Sequence, residues 1–137
     1  MRFLHTADWQ IGTQFGQFTA EEATHLTEAR FETVRRIVSL ATQRKFDAVL
    51  VAGDVFDQQT VSDTVIRKLF SALAGYTGPW FMLPGNHDAA LAESGWTRAR
   101  WLGCVPANVK LLLEAGVTPL DTANGAAPAS LLHAPLT

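Results

Sequence analysis

Residues 48–57 read AVLVAGDVFD, and they define the class of structure that this chain adopts. The first half, Ala48 to Ala52, is a continuous apolar run, which is the pattern of a β-strand covered on both faces. The run stops at Gly53-Asp54, where the chain turns polar. Strands covered on both faces belong to parallel sheets flanked by helices, so the stretch predicts an α/β protein.

Two further apolar runs end in the same way. Residues 2–7 form a short, mostly apolar run that ends at Asp8. Pro79 to Leu83 (PWFML) is followed directly by residues 84–88 (PGNHD). Each run therefore predicts a buried strand with a polar cluster at its carboxyl end.

The segments between these runs have helical spacing. Thr19 with Glu22, and Thr60 with Asp63, stand at the spacing of a helix capping box. Apolar residues then recur along one face of each predicted helix: Leu26, Val34, Ile37, Val38 and Ala41 in the first, and Val65, Ile66, Leu69, Phe70 and Leu73 in the second. The order strand, helix, strand, helix, strand predicts a βαβαβ core with parallel strand pairs.

The patterns that indicate strands and helices are weaker after Asp88. Leu91 to Leu102 is helical in spacing, although Gly95 interrupts it, and Asp121 to Ala129 is rich in Gly, Ala and Pro and predicts a turn. Three short strands are predicted: Val109 to Leu113, Val117 to Leu120 and Ser130 to His133. Residues 134–137 carry no signal that ends a domain, so we expect residues 1–137 to be the N-terminal portion of a larger domain, truncated at its C-terminus.

Composition restricts the class of protein. With 137 residues, of which 47% are hydrophobic and 18% charged, the chain fits one globular domain rather than a disordered one. The net charge of −2 predicts no general attraction to nucleic acid, so such a partner must be held locally or by bound cations.

The single cysteine, Cys104, excludes an internal disulfide. Because neither a secretory signal nor a membrane-spanning run is evident, we expect a cytoplasmic protein with no membrane partner.

The polar clusters carry the candidate chemistry. Because the carboxyl ends of parallel strands form the ligand crevice of an open α/β sheet, we expect Asp8, Asp54, Asn86 and His87 to lie at one edge. Two carboxylates, an amide oxygen and an imidazole, without thiolates, suit Mn²⁺, Mg²⁺, Fe or Zn²⁺. Glycines before Asp54 and Asn86 permit the tight turns that follow each strand. Taken alone, an aspartate after a strand is more often a turn former or a helix cap. The occurrence of all three clusters in order, each at a strand end, favours a metal site.

The clusters together match a known set of motifs. The pattern D-x-[HQ], G-D-x-x-D and G-N-H-D resembles the calcineurin-like metallophosphoesterase superfamily. The fuller strings HTADWQIG (5–12), VLVAGDVFD (49–57) and PGNHD (84–88) are similar to those of the SbcD-type DNA-repair exonucleases. The resemblance covers residues 1–90 well and the remainder loosely. It implies an α/β/β/α sandwich, of which this chain forms the N-terminal portion.

The resemblance also implies roles for the matching residues. Asp8 would ligate a first metal ion, Asp54 would bridge two ions and Asn86 would ligate the second. His87 would face the scissile phosphate and protonate or polarise the leaving oxygen, without binding metal tightly. The implied cofactor is a pair of divalent ions, with Mn²⁺ preferred and Mg²⁺, Fe or Zn²⁺ as alternatives.

Gln10 departs from the family pattern. The first motif usually reads D-x-H, and here its third residue is Gln10, a candidate ligand whose amide oxygen is a poorer donor than imidazole. We therefore expect the first ion to be held weakly. On an extended strand Gln10 points the same way as Asp8 and His5 points the other way, so His5 cannot substitute.

The second departure concerns residues that this chain lacks. The family has a further histidine and a G-H-x-H motif downstream; neither is present, and the only late histidine, His133, is interpreted as structural. Part of the metal shell is thus missing, so residues 1–137 alone are expected to be inactive and to hold at most one ion weakly. Asp57 and Asp88 match positions that orient ligands through hydrogen bonds.

The implied function is metal-dependent phosphodiester hydrolysis by a DNA-repair exo- or endonuclease subunit. The implied partners are DNA, an SbcC-type ATPase subunit and, in the full-length protein, a second copy of the chain. Two alternatives stay open: a phosphatase of the same superfamily acting on a small molecule or a phosphoprotein, and a non-catalytic remnant that uses the fold for binding. The fold does not separate them, because function depends on the site.

Aromatic residues near these motifs permit two interpretations. Trp9 is next to Asp8 and could stack on a base or pack in the core. Trp96, Arg98, Arg100 and Trp101 interleave aromatic and basic side chains, as in a nucleic-acid contact strip. A solvated helix with buried tryptophans is the favoured interpretation of the second group.

Overall fold

The computed structural model describes residues 1–121 and 129–137. Its helices and strands, in chain order, are β1 (Phe3–Thr6), α1 (Ala20–Gln43), β2 (Ala48–Ala52), α2 (Asp63–Ala72), β3 (Trp80–Leu83), α3 (Gly95–Leu102), β4 (Val109–Leu111), β5 (Gly116–Leu120) and β6 (Ala129–His133). The predicted turn over Asp121 to Ala129 lies, apart from its two ends, outside the described residues.

Four strands form one parallel sheet in the order β1-β2-β3-β4. The register pairs Thr6 with Val51 and Ala52 with Leu83, so the carboxyl ends of β1, β2 and β3 reach the same edge. Because the strand order follows the chain order, right-handed crossovers place the connecting helices on one face. The predicted α/β class and βαβαβ core are confirmed.

The helical face of the sheet carries the main core. Phe31 of α1, Ile66 of α2 and Trp96 of α3 are buried in one cluster with the strand residues Val49 and Met82. This layer fixes the three helices against the sheet and thereby sets the positions of the loops that leave the strand ends.

The opposite face of the sheet is covered by the antiparallel hairpin of β5 and β6. Leu120 of the hairpin packs in a second cluster with Ala48 and Phe81. On the same hairpin, His133 Nε2 lies 3.0 Å from Thr118 Oγ1, which supports a structural role for this histidine. The layers run helix, sheet, sheet, as expected for the N-terminal portion of an α/β/β/α sandwich.

One helix begins as the sequence predicts, and the starts of the other two differ from the prediction. The capping box of Thr19 and Glu22 is present at the start of α1. Helix α2 is capped by Ser62 and not by Thr60, because Ser62 Oγ accepts a hydrogen bond from the N–H of Val65. Gly95 opens α3 rather than interrupting it: a Cβ there would lie 3.3 Å from a ring carbon of Phe56, so glycine permits this close approach.

None of the helices in the described part of the chain is both long enough and apolar enough to cross a membrane.

Candidate metal centre

The first polar cluster forms a tight turn after β1. Asp8 and Gln10 both have left-handed backbone conformations, with φ of 55° and 47°. Such conformations are uncommon for residues other than glycine and persist where surrounding contacts hold them. The backbone N–H groups of Asp8 and Gln10 donate hydrogen bonds to the carbonyl oxygens of Gly53 and Asp54, at 3.0 and 2.9 Å. The first cluster is therefore fixed beside the second.

Asp54 connects the second cluster to the third. This residue is also left-handed, with φ of 50°, and it is only 8% exposed. Its Oδ1 accepts a hydrogen bond of 3.0 Å from the backbone N–H of His87. The structure thus brings all three predicted clusters to one edge of the sheet.

Two glycines allow the second and third clusters to approach each other. A Cβ on Gly53 would lie 3.1 Å from the Cα of Gly85, and a Cβ on Gly85 would lie 2.1 Å from Oδ1 of Asp54. Gly53 also has a φ of +92°, whereas Gly85 does not have a positive φ. Gly85 is therefore required by close packing, and Gly53 by both packing and backbone conformation.

Substitution of Gly85 by alanine is expected to destabilise the fold by about 1–3 kcal/mol, as overpacking of a tight contact typically does. The added Cβ would also lie 2.6 Å from the backbone N of Asp54, which cannot move away as a flexible side chain could. Urea denaturation measures the loss. Gly16→Ala is the matched control, because a Cβ at Gly16 meets nothing within 4 Å. Equal stability of the two variants would contradict the close approach.

Asp88 holds the backbone of these loops together. It is 1% exposed, and its Oδ1 accepts hydrogen bonds from the N–H groups of Asp54 (3.2 Å) and Gly85 (2.6 Å), while its Oδ2 accepts one from Phe56 (3.1 Å). Burial raises the pKa of Asp88, an effect that the hydrogen bonds from Gly85 and Phe56 oppose. The carbonyl oxygen of Asp88 accepts a hydrogen bond of 2.7 Å from Trp96 Nε1. Asp88 therefore orders the backbone of this edge through hydrogen bonds.

His87 presents its imidazole at the rim of the site. Its Nδ1 lies 3.1 Å from the backbone oxygen of Asp57 and 3.9 Å from a carboxylate oxygen of the same residue. Because a carbonyl oxygen can only accept, Nδ1 carries the proton of this hydrogen bond, and Nε2 is left for another partner. The side chain of His87 is 44% exposed, so that partner can come from solvent or from a bound ligand.

The oxygen donors at this edge are of the chemical type that binds divalent cations. Asp8 and Asn86 are exposed and Gln10 is half-buried, and within residues 1–121 and 129–137 none of these three side chains makes a hydrogen bond or an ion pair. The same residues contain no group of three or more His, Cys, Asp or Glu side chains suited to a metal ion. Two carboxylates and two amides are hard oxygen donors, which a hard cation prefers, whereas a structural zinc ion is usually bound by thiolates and imidazoles.

Arg30 of α1 was missed by the sequence interpretation. Its Nη1 donates a hydrogen bond of 2.8 Å to the carbonyl oxygen of Trp9, within the turn of the first cluster. The sequence does contain a signal for it. Arg30 stands four residues after Leu26 and four before Val34, on the predicted apolar face, where a charged side chain needs a partner.

The aromatic residues divide between the core and the surface. Trp9 is 8% exposed, donates to Thr6 Oγ1 and packs edge-on against Trp80, which favours core packing over base stacking. Trp96 is fully buried, as the favoured interpretation predicts, but Trp101 is 87% exposed. The prediction of buried tryptophans on α3 is therefore right for Trp96 and wrong for Trp101, which lies on the outer side of the helix.

Known proteins share this sequence pattern. The calcineurin-like phosphoesterase family matches residues 1–127. The SbcD component of the nuclease SbcCD from Rhodobacter capsulatus is 44% identical over 95 residues, which make up 66% of this chain and 22% of that protein. The uncharacterized metallophosphoesterase YhaO of Bacillus subtilis is 27% identical over 121 residues, or 84% of this chain and 28% of that protein. The DNA double-strand break repair protein Mre11 of Methanosarcina acetivorans is 34% identical over 92 residues, which make up 65% of this chain and 14% of that protein.

Each alignment covers only a small part of the relative's length. The chain spans 14% to 28% of the length of these three relatives. The family match covers most of the chain and includes all three polar clusters. The parallel sheet, the clusters at its edge and this match agree, and the chain belongs to the calcineurin-like phosphoesterase family.

Proposed function

We propose that this chain supplies part of the catalytic centre of a two-cation phosphodiesterase that acts on DNA. The observation that carries the proposal is the convergence of three polar clusters at one sheet edge, with Asp54 hydrogen-bonded to the loop of His87. The names of the relatives, which describe a nuclease component and a DNA repair protein, support DNA as the substrate.

The oxygen donors are divided between two cations in this proposal. Asp8 and Gln10 would hold the first cation, Asn86 would hold the second, and Asp54 would serve as a ligand shared by both. Divalent cations, with Mn²⁺ preferred, supply positive charge against the phosphate oxygens and activate water for attack when they are bound. Further donors, water and substrate oxygens among them, would complete the coordination, since six or so ligands per ion are typical of such cations.

His87 provides the proton that the leaving oxygen of the sugar requires. The carbonyl oxygen of Asp57 keeps the Nδ1 proton in place, so a protonated ring can donate from Nε2. The backbone N–H of His87 is held by Asp54, and Asp88 fixes the backbone of Asp54. The proton donor and the cation ligands are therefore positioned by one connected network.

The proposal is tested by the substrate preference of the full-length gene product. Linear double-stranded DNA, p-nitrophenyl phosphate and a phosphoserine peptide are compared in the presence of Mn²⁺ and in EDTA. We expect Mn²⁺-dependent DNA degradation that exceeds hydrolysis of either monoester. Faster hydrolysis of the monoesters would support a phosphatase instead, and Mn²⁺ binding without hydrolysis of any substrate would support a non-catalytic binding module.

The same proposal extends to assembly. We propose that residues 1–137 are the N-terminal portion of a nuclease domain whose full-length protein forms a homodimer and works with an SbcC-type ATPase. The name of the Rhodobacter capsulatus relative, which is one component of the nuclease SbcCD, supports this. Light scattering of the full-length gene product, alone and with an SbcC-type ATPase, measures both associations.

A further inference from the structure

We propose that Arg30 is a positioning residue for the first cation site, acting through the carbonyl group of Trp9. The identity of the site rests on the proposed function. The role of Arg30 itself rests on its contacts with the turn formed by residues 8–10 and with the loop that follows it.

Arg30 contacts the turn at its central peptide group. Its Nη1 donates a hydrogen bond of 2.8 Å to the oxygen of Trp9, and Trp9 stands between the left-handed residues Asp8 and Gln10. The guanidinium carbon also lies 5.1 Å from the centre of the Phe15 ring. Arg30 therefore connects helix α1 to the turn and to the loop after it.

The turn requires support from both sides. The N–H groups of Asp8 and Gln10 are bonded to the segment after β2, which fixes one side of the turn. The Trp9 carbonyl lies on α1's side, where Arg30 donates to it. Left-handed residues other than glycine persist where the surroundings over-determine them, and a hydrogen bond from a charged donor is stronger than a neutral one.

The position of Arg30 on the helix is informative. Arg30 lies between Leu26 and Val34 on the face of α1 that packs towards the sheet, where an apolar side chain is the usual occupant. Arg30, Trp9 and Asp8 line one cavity of about 280 Å³. A half-buried arginine has lost part of its hydration, and the hydrogen bond to the Trp9 carbonyl compensates for that loss while it connects the helix to the turn.

The guanidinium group suits this role better than an ammonium group. One of its several N–H groups donates to Trp9 while its carbon lies over the Phe15 ring, because the donors are fixed in a fork around that carbon. Lysine can replace the hydrogen bond and the positive charge, but its single ammonium group cannot reach Trp9 and Phe15 with the same fork. Arg30→Lys should therefore retain part of the function and Arg30→Met none of it.

The experiment follows Mn²⁺ binding to the full-length gene product by titration, with free Mn²⁺ measured by electron paramagnetic resonance, which detects weak sites. Arg30→Met is expected to weaken binding about tenfold, as loss of a group that orients metal ligands typically does, and Arg30→Lys to recover part of that loss. Amide hydrogen exchange at Gln10 and Ile11, whose N–H groups bond to Asp54 and Val55, should accelerate in Arg30→Met without metal. Arg36→Met on the same helix is the control, because the Arg36 side chain is 80% exposed and its ion pair with Glu32 is 3.9 Å long.

The outcomes separate this inference from the proposed function. Unchanged affinity and exchange in Arg30→Met, with Mn²⁺ bound by the unsubstituted full-length gene product, overturn the role of Arg30 and leave the metal centre in place. Absence of Mn²⁺ binding by the unsubstituted full-length gene product contradicts the proposed metal centre, and the role of Arg30 falls with it. Arg30→Gln is measured alongside and is expected to bind as weakly as Arg30→Met, so the test stands even where the methionine variant does not fold.

Discussion

Replacement of Asp54 by asparagine is expected to reduce Mn²⁺-dependent DNA hydrolysis by the full-length gene product roughly a thousandfold, because cation stabilisation of the transition state is worth several kcal/mol. The change removes the negative charge proposed to hold two cations, which an amide cannot replace. The fold should survive, since the amide oxygen can still accept the hydrogen bond from the N–H of His87. Single-turnover rates, metal content and urea denaturation of the variant measure the three effects separately.

The matched control for this variant is Asp63→Asn. Asp63 is the first residue of α2, its side chain is 58% exposed, and its partner is Arg98 at 3.1 Å. An exposed ion pair of this kind contributes about 0.2–1 kcal/mol, so the control should retain full activity and nearly full stability. Wild-type turnover by Asp54→Asn with unchanged metal content would refute the bridging role of Asp54.

The sheet and the meeting of the clusters could be predicted because they depend on local patterns. A strand buried on both faces must be apolar along its length, and Ala48 to Ala52 shows this pattern and forms β2. The polar cluster that follows such a strand lies at its carboxyl end by definition. Parallel pairing then places the clusters side by side, whatever the details of their loops.

The caps and the supporting contacts depend on residues that are distant in sequence. Thr60 and Ser62 are both plausible caps, and the structure uses Ser62. The loop before the helix is held by Arg98, whose guanidinium donates to the carbonyl oxygens of Gln59 and Val61. Such a contact leaves no local pattern in the sequence.

The sequence indicates a glycine requirement at position 85, but for a reason that the structure does not support. Its place before Asn86 indicates a tight turn, but the structure shows that close approach to Asp54 is what excludes a side chain there. Sequence patterns report the backbone conformations that a residue prefers. They do not report which atom from another strand will lie beside it.

For His87, substitution by alanine is expected to leave Mn²⁺ binding largely intact while lowering the rate of DNA hydrolysis by about 10²–10⁴-fold, the usual contribution of a general acid. The separation follows from the structure, because the bond that ties this loop to Asp54 comes from the backbone N–H of His87 and not from its imidazole. The alanine variant keeps that bond and loses only the ring whose Nδ1 lies near the oxygen of Asp57. Metal titration and single-turnover rates of the full-length gene product measure the two properties.

A second histidine serves as the control for this prediction. His25 lies on α1 with a side chain that is 79% exposed and a 4.0 Å contact to Glu21, so His25→Ala should alter neither metal binding nor rate. The pH dependence of the rate gives an independent readout, since a general acid leaves a descending limb at high pH that should disappear in His87→Ala and persist in His25→Ala. If metal affinity falls together with the rate in His87→Ala, the imidazole is a metal ligand. The proton for the leaving oxygen must then come from another group.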